Sequence, residues 1–126
     1  MSFAFSYSLL DRSGTPPLKY IKGVLSIDGE ELLFEYKLYD PQGNVLSTLN
    51  KFSINVDFLE SLELMKGLFK SKLIIRTTQM VFLDPLPGSK QGSITLEIKR
   101  EDRSQAQDFV SKLKIALSER KLRDLE

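Results

Sequence analysis

A succession of short segments with alternating apolar residues gives way, near Asp102, to one amphipathic helix that fills the C-terminus. That order constrains the fold more than any other feature of the chain. Phe3, Phe5, Tyr7 and Leu9 alternate with the period of a half-buried strand. Ile21, Gly23, Leu25 and Ile27 share one parity, and Leu32, Phe34, Tyr36 and Leu38 share another. Asp28-Gly29 between them suits a two-residue hairpin, whose central positions favour positive φ. Asp40-Pro41-Gln42-Gly43-Asn44 has the chemistry of a second turn. Residues 20–50 therefore read as a three-strand antiparallel meander.

Phe52, Ile54 and Val56 continue the alternation. Residues 57–65 fit a helical stripe or a strand, and a short turn followed by a strand is the expectation. Leu73 to Thr77 is rich in β-branched residues and reads as a strand. Met80 to Leu83 is expected to be a short strand, broken by Pro85-Leu86-Pro87-Gly88. Ile94, Leu96 and Ile98 form the last alternating run. Asp102 and Gln105 have the spacing of a capping box, with Ser104 as a competing cap. Ala106, Phe109, Val110, Leu113 and Leu117 then fall in one sector of the helix. Asp11 to Pro17 reads as a loop. The whole chain, 1–126, is expected to be one domain, with strands within 3–100 and the helix over about 103–122.

Composition removes several function classes. The chain has no cysteine and no histidine. Disulfides, thiolate chemistry and His-dependent catalysis are therefore not expected, and neither are zinc, copper or haem sites. No cofactor or metal site is expected, and the chain is not expected to be an enzyme. Glu30-Glu31 and Glu60 with Glu63 are the nearest carboxylate pairs, and neither stands beside a recognisable metal or phosphate motif. Leu86 to Gly92 superficially resembles a phosphate loop but lacks its order, and reads as a long hairpin turn. Nucleic-acid binding is not expected either, since the strand aromatics are not interleaved with a basic face. The N-terminus lacks a basic region and an unbroken apolar run, so a cytoplasmic domain is the expectation.

Net charge is only +1, but it is unevenly distributed. Residues 1–65 carry five basic and nine acidic side chains, whereas residues 66–126 carry thirteen and eight. Two local features follow from the same uneven pattern. Lys66, Lys70 and Lys72 surround Leu68 and Phe69 at a strand connection. Apolar residues in a short loop ordinarily fold inward, and exposed they would make a contact loop for an anionic membrane surface. On the helix, Ile115 and Leu122 point about half a turn away from the core stripe. They read as a face for a protein partner or a second copy, or as residues packed on the N-terminal segment or fraying past residue 118. Lys99, Arg100 and Arg103 read as a solvated charge run, and Arg120, Lys121 and Arg123 as cations suited to the helix dipole.

The order of elements resembles the pleckstrin-homology-like barrel, especially its bacterial members, and more loosely GRAM-type domains. The resembling stretch runs from about Tyr20 to Leu117. It is marked by Phe52-Ser53-Ile54, Leu59 to Leu64, and Lys66-Gly67-Leu68-Phe69 leading into Leu73-Ile74-Ile75. Pro87-Gly88, Gly92 and the Asp102-Arg103 start of the helix complete the pattern. The resemblance implies a mainly β fold. It would be a barrel of two nearly orthogonal antiparallel sheets, with about seven strands, capped by one C-terminal amphipathic helix. It also implies a non-catalytic protein-interaction or adaptor domain. The chain departs from eukaryotic members in having no Trp for the closing helix, where Phe109 could fill the space. It also lacks the clustered Lys/Arg of phosphoinositide-binding members at the first hairpin. Ile27-Asp28-Gly29-Glu30-Glu31 is acidic, and Asp11 to Lys19 offers only Arg12 and Lys19.

Overall fold

The computed structural model describes residues 1–9 and 19–125. The loop expected over Asp11 to Pro17 lies outside the described residues. Seven strands precede the helix: β1 (Ser2–Leu9), β2 (Lys19–Asp28), β3 (Glu31–Tyr39), β4 (Asn50–Asn55), β5 (Leu59–Lys66), β6 (Lys70–Thr77) and β7 (Ser93–Lys99). All pairings are antiparallel, in the order β4-β3-β2-β1-β7-β6-β5. Two meanders, β1–β4 and β5–β7, are thus joined into one sheet. The joint is narrow, because β1 and β7 are in register only at Ser6 and Glu97.

Each strand turns one parity inward. Phe3 and Phe5 from β1, Leu25 from β2, Phe34 from β3 and Leu96 from β7 are buried. Helix α1 (Arg103–Asp124) adds Ala106, Phe109, Val110, Leu113 and Leu117 to the same core. Phe109 meets Phe3 edge to face, with ring centroids 5.0 Å apart. The apolar sector of α1 covers only its middle. Arg103 and Arg120 occupy the same side near its two ends, and both reach the body of the domain. Arg103 donates to the Gly67 carbonyl at the β5–β6 connection. Arg120 pairs with Asp57 and Glu30, and the Asp57 hydrogen bond, followed by the two carboxylate charges, holds its guanidinium pKa above the ordinary value.

Several local expectations are corrected. The first described hairpin turn sits at Gly29-Glu30, since Asp28 pairs with Glu31. Gly29 alone takes a positive φ of 62°, the pattern of a turn with glycine in the first central position. The third strand of the meander starts only at Asn50, after an isolated bridge between Tyr39 and Val45. Residues 57–65 divide into a 3-10 turn at Val56–Phe58 and strand β5, as expected. Met80–Leu83 is a 3-10 helix and not a strand. It drives Leu83 and then Leu86 into the core, which an extended segment ending at Pro85 cannot do. Tyr7 ties this connection to β1, its hydroxyl donating to the Pro87 carbonyl at 2.6 Å. Burial, then the neighbouring Tyr36, pushes the Tyr7 phenol above its ordinary pKa. Asp102 makes no side-chain cap. A 3-10 turn over Arg100–Asp102 puts it in a helical conformation, whereas a cap needs an extended one.

The Asp40 turn yields a pH prediction. Asp40 Oδ1 accepts from the backbone amides of Gln42 and Asn44, and Oδ2 accepts from the Asn44 side chain. These bonds, the Asn44 side chain first, hold the carboxyl below its ordinary pKa. A carboxyl depressed by folding stabilises the native state above its unfolded pKa. That contribution is lost as pH falls through the lower folded value. Asp40→Asn is therefore expected to flatten the acid limb of a urea-measured stability curve. Identical acid limbs for the two proteins would show that this carboxyl is not linked to folding.

Candidate functional site

The β5–β6 hairpin is built from a tight reversal. Lys66 pairs with Ser71 and Met65 with Lys72, leaving Gly67-Leu68-Phe69 at the tip. Gly67 is required by space, because a Cβ there would collide with the Lys70 carbonyl oxygen. The two apolar tip residues do not fold inward. Leu68 is 76% and Phe69 78% exposed, and Met65 beside them is exposed as well. The hairpin is too tight for its tip to reach back over the core, so packing offers these side chains no cover.

Strand pairing brings a second basic cluster to the same end. Lys70 lies directly opposite Lys99 across β6 and β7. Arg100 follows at once, and Arg103 is bonded to Gly67 at the tip. Lys66, Lys70, Lys72, Lys99, Arg100 and Arg103 thus gather around Leu68 and Phe69, against Glu97, Glu101 and Asp102. Lys70 Nζ donates to Glu97 at 2.8 Å, which offsets part of the charge. The solvated charge run expected at Lys99-Arg100-Arg103 is therefore part of one basic end. No sequence window holds both clusters, and only counting residues across an assumed β6–β7 pair levels Lys70 with Lys99.

One strand pair at this end opposes like charges, Lys70 against Lys99, with Lys70 also paired to Glu97. Like charges directly opposite each other in a sheet are destabilising. Ser71 is fully buried between Lys66 and Ile98 of the neighbouring strands, and among the described residues its hydroxyl and Arg103 Nε meet no protein hydrogen-bond partner.

The helix residues behave differently. Helix α1 continues unbroken to Asp124, so there is no fraying at residue 118. Ile115 is 59% and Leu122 63% exposed, on the side away from the core stripe. By helical rise they lie about 18 and 28 Å from Arg103, and the turn before them, at Ser111 and Lys114, shares a shallow groove with Lys66. At the far end Arg120 engages the acidic turn, about 26 Å from Arg103 by helical rise. The charge asymmetry between the two halves of the sequence therefore becomes a basic end around the tip and an acidic turn under the last turns of the helix.

Surface grooves flank the narrow β1–β7 joint. One of about 310 Å³ is lined by Phe5, Lys22, Lys99 and Asp102. Another, of about 550 Å³, is lined by Tyr7, Lys72, Lys90 and Glu97. Neither is enclosed. Among the described residues, no three His, Cys, Asp or Glu side chains cluster as a metal site. No helix among them is long and apolar enough to cross a membrane. The chain matches no family model, no curated protein and no solved structure.

Proposed function

We propose that this chain is a non-catalytic interaction domain with a pleckstrin-homology-like barrel, and that its basic end docks on an anionic membrane surface. The observation that carries the reading is the exposure of Leu68 and Phe69 at a hairpin tip ringed by lysine and arginine. Side chains of this kind can enter the interface while the cations meet lipid phosphates. Each cation near such a surface contributes about 1 kcal/mol. A cytoplasmic location belongs to the same proposal, because the cytoplasmic leaflet carries anionic lipid.

The barrel reading has its own support. Seven strands laid flat would span about 29 Å at a spacing of about 4.8 Å, whereas one helix is about 10–12 Å across. Yet the inward side chains of all seven strands form a single cluster with α1. A sheet bent at the narrow Ser6–Glu97 joint, into two crossed halves, reconciles one helix with so wide a sheet. The non-catalytic reading rests on the chain's lack of histidine and cysteine. The raised pKa of the Tyr7 phenol follows from its burial and then from the neighbouring Tyr36, and its hydroxyl is engaged by the Pro87 carbonyl.

Flotation with phosphatidylglycerol-containing vesicles, against phosphatidylcholine alone, tests the proposal. Binding is expected only with the anionic lipid. It should fall as salt rises from about 0.1 to 1 M, where the screening length shrinks from about 10 to 3 Å. No binding to either vesicle sinks the membrane reading, and equal binding to both removes its electrostatic part. A second reading, an adaptor for a protein partner, is favoured by the exposed Ile115 and Leu122 on α1.

A further inference from the structure

The outer face of α1 holds more than two isolated apolar residues. Ser111, Ile115, Ser118, Leu122 and Leu125 recur at alternating steps of four and three. That is the spacing by which one helix meets another in a two-stranded coil. Ile115, Leu122 and Leu125 are all exposed. The serines between them are small and would let a second helix approach closely. The seam is independent of the fold, because the core stripe of Phe109, Val110, Leu113 and Leu117 occupies the other side.

We propose that this seam pairs with the same seam of a second copy of the chain, with the two helices parallel. The flanking charges select both the occupant and the direction. In a parallel pair, the residue before each Ile115-type position faces the residue after the next Ser118-type position of the other helix. Lys114 of each copy then faces Glu119 of the other, and two-fold symmetry forms this pair twice. In an antiparallel pair the same flank meets itself, and Lys114 and Lys121 of one copy face Lys121 and Lys114 of the other. That arrangement sets like charges together along one flank and opposes Lys112 to Glu119 along the other, so its attractions and repulsions cancel, whereas the parallel pair keeps the Lys114–Glu119 attraction without that repulsion.

The pairing does not rest on the membrane reading, but one consequence does. Parallel helices bring both Arg103 ends, and therefore both Leu68-Phe69 tips, to the same end of the dimer. Two tips would then meet one surface, and the second would bind at the high effective concentration set by the first.

The chain's lack of cysteine makes the test direct. Ser111→Cys and Ser118→Cys each install a single thiol at a position that faces itself in a parallel seam. Mild oxidation, without lipid, is expected to crosslink both variants to dimers. Sedimentation of the wild-type chain, from micromolar to millimolar, is expected to show monomer passing to dimer. Ile115→Glu/Leu122→Glu should weaken association about tenfold or more. It should leave the melting temperature unchanged, since both residues are exposed. Lys114→Glu should weaken the dimer, and Lys114→Glu/Glu119→Lys should restore it. A wild-type mass that stays monomeric overturns the pairing. Crosslinking at Ser118→Cys but not Ser111→Cys overturns the parallel direction. Vesicle binding by a strictly monomeric protein would leave the membrane reading standing and this one refuted.

Discussion

Leu68→Ser/Phe69→Ser is expected to lose binding to anionic vesicles while melting at the same temperature as the parent. The two effects separate because both side chains stand in solvent at the hairpin tip and lend nothing to the core. Moving a Leu or Phe side chain fully out of water is worth about 1.5–3 kcal/mol. Losing two such groups removes at least about 3 kcal/mol, a fall of more than about a hundredfold in partition. The remaining cations keep only a weak, salt-sensitive attraction. Flotation of the variant beside the wild type, with thermal melts of both, measures this. Undiminished binding by the variant would mean that the tip does not enter the interface. A lower melting temperature would mean that the tip packs after all.

Phe109→Ala is expected to have the largest effect on stability. The ring is fully buried at the centre of α1 and meets Phe3 edge to face. Truncating a buried Phe costs about 3–5 kcal/mol, through lost transfer energy and the cavity left behind. That is a large share of the roughly 5–15 kcal/mol that holds a domain of this size together. Urea denaturation should show a lower midpoint with an unchanged slope. Ile115→Ala, two turns away on the outer face, should stay within about 0.5 kcal/mol of the parent. If the two variants were equally stable, α1 would not be closing the core.

Both predictions concern residues that stand out in the chain, but their roles were not equally legible there. The period-two runs in β1, β2, β3, β4 and β7, the β-branched run in β6 and the stripe from Ala106 to Leu117 are local patterns, and the strands and helix follow them. The 3-10 helix at Met80–Leu83 was not legible, because its conformation is set by what Leu83 and Leu86 must reach across the core. The turn at Gly29-Glu30 lies one residue beyond the expected position, because pairing along the whole of β2 and β3 sets its register. Asp102 gave up its expected cap to a turn that connects β7 to α1 at the angle the core requires.

The candidate site divides in the same way. Lys66, Leu68, Phe69, Lys70 and Lys72 lie within one short window, so their chemistry is visible in the chain. Whether Leu68 and Phe69 face water is not, because inward and outward rotations of a loop leave the same sequence. The tightness of the Gly67 reversal decided it. Lys99, Arg100 and Arg103 looked like an ordinary charge run, and Arg120 like a complement to the helix dipole. The β6–β7 register carried the first group to the hairpin, and the length of α1 carried Arg120 to Asp57 and Glu30.

The sequence by itself determined the alternating strands, the closing helix and their order, and it left out the side chains on which histidine and cysteine chemistry depends. Those are consequences of local periodicity and of composition, and they need no partner elsewhere in the chain. Only the tertiary structure decided that seven strands form one sheet joined at Ser6 and Glu97. Only it decided that two distant basic clusters share one end, and that the helix is anchored through arginines at both its ends. Such facts depend on register and distance between residues far apart in the chain, and strand pairing sets them only when the whole core closes.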